Sequence, residues 1–333
     1  MSNLINQLIL KEFAKNDISI LNLIDITSGR NSSVYRLESN DKIYICKHYP
    51  SRFEQDNSRL MNEFSTLEFL NKHGIIHIPK PLFYNKLYNF AAYTFLEGYP
   101  INEVNKDVLA ASVDFYKKLS KFSYSNYKED VVNAAEACFS PTEHFNLIKQ
   151  RITNLLSTSQ STILHTVALR WVRDELLARY NDIRERAYTD LGSSYLNRQL
   201  RDKYKIISQS DVGIHNMIKS NDDYLFYDFE YAGWDDPSKF LVDWILQPEQ
   251  LLNLELSNQL ILTIESYLDD QYLIKKMPLM LNLYRIKWCT IILNPYLHKL
   301  SSEIQLEESY NKAVKYFSRS QFLVEQLTKL FLN

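Results

Sequence analysis

Glycine is scarce in this chain: six in 333 residues, at positions 29, 74, 98, 192, 213 and 233. A P-loop needs two glycines ahead of a Lys-Ser/Thr pair, and the dinucleotide fingerprint needs three within six residues. No window satisfies either, so a phosphate-cradling loop here must work with one glycine and small polar residues. Cysteine is equally sparse. Cys46, Cys138 and Cys289 are far apart and form no Cys-x-x-Cys pair or even disulfide set. His73 and His77 lack the metalloprotease glutamate beside the first histidine, so a structural zinc site is not expected. There is no basic excess either: 38 Lys and Arg stand against 40 Asp and Glu, a net charge of −2, which disfavours a protein that coats nucleic acid. No apolar run approaches the roughly 20 residues that span a bilayer, and the N-terminal stretch lacks the basic-then-apolar pattern of a signal peptide. These absences predict a reduced, cytoplasmic protein with no nucleic-acid or membrane partner; the oligomeric state is left open.

What is present suits a folded core: 45% hydrophobic and 23% charged residues, with 13% aromatics. The length suggests two domains or one two-lobed domain. Residues 18–24, Ser33–Glu38, 42–47 and 88–95 read as strands, and 59–72 as a helix. A boundary follows at Leu96-Glu97-Gly98-Tyr99-Pro100. Beyond it, 108–122, 142–156 and 164–188 carry apolar residues at helical spacing. Short β segments (206–207, 217–218, 224–229) interrupt the helices, which resume from 240. The expectation is an α+β chain with a small β-rich lobe over 1–96 and a larger helical lobe over 97–333.

Chemistry concentrates in Asp211-Val-Gly-Ile-His-Asn216 and in the run from Tyr227 to Pro237. Centring the second hairpin on residue 222 sets Asn216 opposite Asp228, with Asp211 in the loop before. Two carboxylates and an amide would supply hard oxygen donors of the kind Mg2+ prefers; a solvated turn rich in Asp and Asn is the alternative. Centring the first hairpin near Asn40 sets Lys47 opposite Ser33, beside the small polar stretch 28–33, whose backbone N–H groups and hydroxyls suit phosphate oxygens. Lys47 as an ordinary edge-strand lysine is the competing reading. On the 59–72 helix, Glu63 falls within the stripe of Leu60, Phe64, Leu67 and Leu70. A carboxylate there needs a partner, and Lys47 is the candidate, unless Glu63 lies at the stripe's edge and reaches water.

Phosphate loop, strand lysine, helix glutamate, aspartate, asparagine five residues on and a second aspartate form a protein-kinase-like set. The sequence resembles the aminoglycoside phosphotransferase and choline kinase superfamily, chiefly through Ser210-Asp211-Val-Gly-Ile-His-Asn216 and Tyr227-Asp228-Phe229-Glu230-Tyr231-Ala-Gly-Trp234-Asp-Asp236-Pro237. Ala137-Cys138-Phe139-Ser140 and Lys287-Trp288-Cys289 resemble an uncharacterised bacterial branch. The resemblance implies a bilobal kinase-like fold and transfer of phosphate from ATP, with Mg2+, to a hydroxyl of a small molecule. It implies Asp211 as the catalytic residue, and Asn216 and Asp228 as metal ligands. Ser32 and Ser33 would lie at the phosphates, Lys47 would contact them and pair with Glu63, and Thr94, Phe95 and Leu96 would read adenine. Asp243 would brace the catalytic loop. Gln209 and Ser210 depart from the superfamily's usual His and Gly; a non-catalytic nucleotide-binding protein is the alternative.

Two further features invite a reading. Residues 208–270 hold thirteen acidic residues against two lysines, a net of −11, whereas 271–333 sum to +5. Glu230, Asp235, Asp236 and Asp243 could draw a cationic acceptor through their field; equally, Asp235 and Asp236 could cap the next helix, with Pro237 in its first turn. Lys275-Lys276 reads as a solvated helix end.

Overall fold

The hairpins over 33–48 and 217–226 close with even-numbered loops, which sets which side chains meet. The structure is a computed structural model and describes residues 2–27, 32–50, 57–159, 162–265, 271–298 and 301–331. The chain order is α1 (Ser2–Lys15), β1 (Asn22–Asp25), β2 (Ser33–Glu38), β3 (Ile43–His48), α2 (Ser58–Lys72), β4 (Pro81–Asn85), β5 (Phe90–Thr94), β6 (Tyr99–Pro100), α3 (Lys106–Leu119), α4 (Tyr124–Tyr127), α5 (Pro141–Leu156), α6 (Ile163–Trp171) and α7 (Ala178–Leu196). Then follow β7 (Ile206–Ser208), β8 (Met217–Ser220), β9 (Asp223–Phe226), β10 (Gly233–Asp235), α8 (Pro237–Leu246), α9 (Leu254–Glu265), α10 (Gln271–Ile292) and α11 (Glu303–Leu330). No described helix is long and apolar enough to cross a membrane.

The chain forms two compact units. The first comprises 1–102, 126–135 and 207–234. Its centre is an antiparallel sheet in the order β1-β2-β3-β5-β4. Strand alternation sorts the side chains: Tyr35, Leu37, Cys46, Phe90 and Ala92 pack under Ile9 and Phe13 of α1. The sequence pattern did not reveal α1 or β4. Lys47 and Tyr93 point to the opposite face, where Phe64 of α2 stacks edge-on against Tyr84, centroids 4.8 Å apart. A second small sheet, β6-β8-β9, carries the 217–226 hairpin. Gly98 has no room for a side chain, since a Cβ would lie 2.6 Å from the Lys219 carbonyl oxygen.

The second unit comprises 103–125, 136–206 and 235–333 and is helical. Its helix starts follow capping chemistry. Asn105, Ser140 and Asp236 accept from backbone N–H groups at the starts of α3, α5 and α8, and Ser302 with Gln305 forms a capping box on α11. The helix expected over 164–188 is α6 and α7 joined through a π-helical turn, Val172–Leu177. Every residue of α8 is buried, and α10 runs through the core with Leu281, Leu283, Tyr284, Ile286 and Cys289 fully enclosed.

Candidate active site

Lys47 stands on β3 between Cys46, buried in the core of the opposite face, and the half-buried His48, and α2 presents Glu63 to it. Lys47 Nζ lies 2.8 Å from Glu63 Oε2, 2.7 Å from Asp228 Oδ1 and 3.1 Å from Glu230 Oε2. Arg59 Nη1 reaches Glu230 Oε1 at 3.6 Å. Three carboxylates thus share two cations, and the cluster keeps a net negative charge. Burial works against the Lys47 ammonium, but Glu63, Asp228 and Glu230 outweigh it and raise its pKa well above the usual lysine value. Burial raises the Glu63 carboxyl, and the pull of Lys47 does not offset that with Asp228 and Glu230 close by. Glu63 also accepts from Tyr49 Oη at 2.7 Å and from the Phe229 backbone N–H at 3.1 Å. Asn62 Nδ2 donates to the Glu230 and Ala232 carbonyls, tying α2 to the segment after Asp228.

Loop 209–216 is held from both sides. Gln209 Nε2 donates to the Tyr227 carbonyl at 2.7 Å, so an amide bonds the backbone there where the superfamily usually has histidine. Ser210 takes a left-handed conformation, φ 68°, a region where glycine carries no Cβ penalty. Its hydroxyl donates to the Ala135 carbonyl at 3.2 Å. Asn216 Nδ2 donates to the Asp211 carbonyl at 2.8 Å. The Asp211 carboxylate is part exposed, with His215 Nε2 at 3.3 Å, and Tyr227 Oη donates to the His215 carbonyl at 2.6 Å.

The registers correct two expected pairings. β8 and β9 pair Met217 with Phe226 and Ser220 with Asp223. The loop is therefore the two residues Asn221-Asp222, with Asn221 at φ 49°, as tight hairpins favour. Asn216 consequently faces Tyr227, whose N–H it accepts at 3.0 Å, and not Asp228. In the first hairpin Ser33 pairs with His48 and Lys47 with Val34, so Lys47 does not face Ser33. Both centres lie half a residue from the expected ones. The strand expected to reach 229 stops at Phe226, because Asp228 at φ 64° leaves the extended region.

Of the other sequence candidates, Ser32 and Ser33 are half-buried ahead of and at the start of β2; residues 28–31 lie outside the described residues. Thr94 ends β5, its N–H donating to the Lys80 carbonyl and its hydroxyl accepting from the Lys80 N–H, each at 2.9 Å. The Phe95 ring carries the Arg36 guanidinium 5.4 Å from its centroid, and Leu96 is half-buried. Sequence reasoning did not place Glu230, Arg59 or Tyr49 in the cluster. The signal was available in Glu230, two residues after Asp228 and inside the same motif.

The acids read as a field for a cationic acceptor are internal. Glu230 belongs to the Lys47 cluster. In the second unit, Asp235 pairs with Lys239 at 2.5 Å, and Asp243 with Lys287 at 3.3 Å and Lys239 at 3.8 Å; Asp243 is thus fixed by lysines of that unit. Asp236 caps α8 ahead of Pro237 and binds Lys276 and His144. Tyr284 Oη completes this group, 2.9 Å from His144 Nδ1. Lys276 is fully buried, which corrects the reading of Lys275-Lys276 as a solvated end; only Lys275 is exposed.

Residues 22–239 match the model of the phosphotransferase enzyme family, and the chain belongs to that family. Among solved structures it is similar to a spectinomycin phosphotransferase in complex with ADP and spectinomycin, at 15% identity and a TM-score of 0.64 over 96% of this chain and 98% of that one. It is also similar to choline kinases from Cryptosporidium parvum (12%, TM-score 0.61, 98% and 100% covered) and Streptococcus pneumoniae (15%, TM-score 0.60, 95% and 99% covered). At such identities the likeness is one of fold, the α+β fold of kinase-like phosphotransferases. A search of curated proteins finds no match.

Proposed function

We propose that this phosphotransferase moves the terminal phosphoryl group of ATP to a hydroxyl of a small molecule, with Mg2+. The observation that carries the reading is the Lys47–Glu63–Asp228 cluster, held in the same compact unit as the Asp211–Asn216 loop. Lys47 presents an ammonium whose charge is secured by buried carboxylates, suited to nucleotide phosphates. Asp211 keeps a part-exposed carboxylate, able to orient an acceptor hydroxyl and take up its proton. Ser32 and Ser33 are the residues assigned to meet the phosphates, and Thr94, Phe95 and Leu96 those assigned to read adenine.

The donor set fits a hard cation. One carboxylate oxygen from each of Glu63, Asp228 and Glu230 lies within 4.8 Å of the others, and the cluster is short of positive charge. Asp228, the more exposed of the three, and Asn216 are the residues assigned to hold Mg2+. When bound, Mg2+ would neutralise charge on the phosphates of the nucleotide.

The test is Asp211→Asn. It should bind Mg·ADP as the wild type does, while phosphate transfer to small-molecule alcohols (amino alcohols, aminoglycosides, sugars) falls by about two to four orders of magnitude. Transfer retained near the wild-type rate would remove Asp211 from its role. Nucleotide binding by the wild type with no turnover on any acceptor would favour a non-catalytic nucleotide-binding protein.

A further inference from the structure

Two tyrosines behind the Lys47–Glu63 pair have no part in the reading above. Tyr49 follows β3 two residues after Lys47 and shares its face. Tyr93 lies on β5, opposite Ile45. Both are almost completely buried, at 1% and 3% exposure. Their hydroxyls lie 2.8 Å apart, and Tyr49 Oη is 2.7 Å from Glu63 Oε2. A phenol has one proton to donate. Burial, and then the nearby Glu63 carboxylate, push both phenols well above their usual pKa, so both keep that proton. Tyr49 gives its proton to the carboxylate, which leaves Tyr93 as the donor to Tyr49. The chain therefore runs in one direction, from Tyr93 to Tyr49 to Glu63.

Phenylalanine would fill the same space without a buried hydroxyl, and a buried hydroxyl is costly unless bonded. Here the partners of the two hydroxyls are each other and Glu63. With Lys47 and Tyr49 on Oε2 and the Phe229 N–H on Oε1, the carboxylate is fixed in plane and rotation. We propose that Tyr49 and Tyr93 are positioning residues for nucleotide binding: they orient Glu63, which in turn presents the Lys47 ammonium. This rests on the nucleotide-binding reading above.

The experiment measures Mg·ADP affinity by calorimetry, with thermal melts in parallel. Tyr49→Phe keeps the ring, including its face 5.2 Å from Lys47 Nζ, and removes the first hydroxyl. It should weaken Mg·ADP binding by about tenfold, the scale of one hydrogen bond to a charged group. Tyr93→Phe should weaken it less. In the Tyr49→Phe background Tyr93→Phe should have no further effect, and in a Glu63→Gln background Tyr49→Phe should lose most of its effect, because each acts only through the next member. A merely structural role would lower the melting temperature in every background and leave affinity unchanged. That result, or equal effects in all backgrounds, overturns the inference and leaves the phosphotransferase reading standing. Failure of the wild type to bind any nucleotide overturns both. If Tyr49→Phe does not fold, Tyr93→Phe in the wild-type and Glu63→Gln backgrounds decides the question.

Discussion

Replacing Lys47 by methionine keeps the aliphatic stem and deletes the ammonium that three carboxylates share. Removing one partner of a buried ion pair costs about 3–5 kcal/mol, because the other is left charged and poorly solvated. Glu63 would retain its bonds from Tyr49 and Phe229, and Glu230 its contact with Arg59. The loss should therefore fall near the lower end, about 3 kcal/mol. Glu63→Gln should cost less, since it relieves a cluster already over-supplied with negative charge. The double variant should then be more stable than the two single losses predict, by about 1–2 kcal/mol of coupling. With two compact units, global unfolding need not be two-state. The informative assay is native-state hydrogen exchange of the β3 and α2 amides, repeated at about 1 M salt, where an exposed pair would lose its coupling and a buried one would not. Additivity within about 0.5 kcal/mol would refute a direct buried interaction between Lys47 and Glu63.

Ser210 sits at φ 68°, so Ser210→Gly should stabilise the protein by up to about 1 kcal/mol despite losing the bond to Ala135, whereas Ser210→Val should destabilise it; equal melting temperatures for the two would remove strain from the account. Burial raises the Asp235 carboxyl from its ordinary 3.8 to about 6, against the pull of Lys239. A carboxyl raised on folding favours the folded state below its unfolded value, and that contribution is lost as pH rises toward about 6. Asp235→Asn should therefore gain about 3 kcal/mol relative to wild type between about pH 4 and pH 7, read by urea denaturation; an offset independent of pH would contradict it.

Periodicity carried the α2 helix and the conflict at Glu63, because a carboxylate within an apolar stripe stands out on a 100° wheel. It also carried β2 to the residue. The hairpin registers were not legible, since loops of three and of two or four residues differ by half a residue in the centre. That shift moves every cross-strand partner by one position, as at Ser33 and Asn216. The N-terminal helix carries its signal in Ile5, Ile9 and Phe13, spaced by four residues, which a test for signal-peptide character does not weigh. β4 opens with Pro81 at a sheet edge, where the strand signal is weak. Charge counting along the segment missed that Lys276 and Lys287, distant in sequence, turn inward to meet Asp236 and Asp243.

That last arrangement bears on how the chain matures. The acidic stretch over 208–270 leaves the ribosome before residues 271–333, which hold Lys276 and Lys287. Until α10 is made, Asp236 and Asp243 lack those partners, and α8 cannot be enclosed without burying uncompensated charge. The second unit thus closes only after residues 271–333 are made, that segment acting as its counter-charge. A chain cut before α10 would keep the strands around Lys47 but should leave α8 and its neighbours unfolded and open to proteolysis.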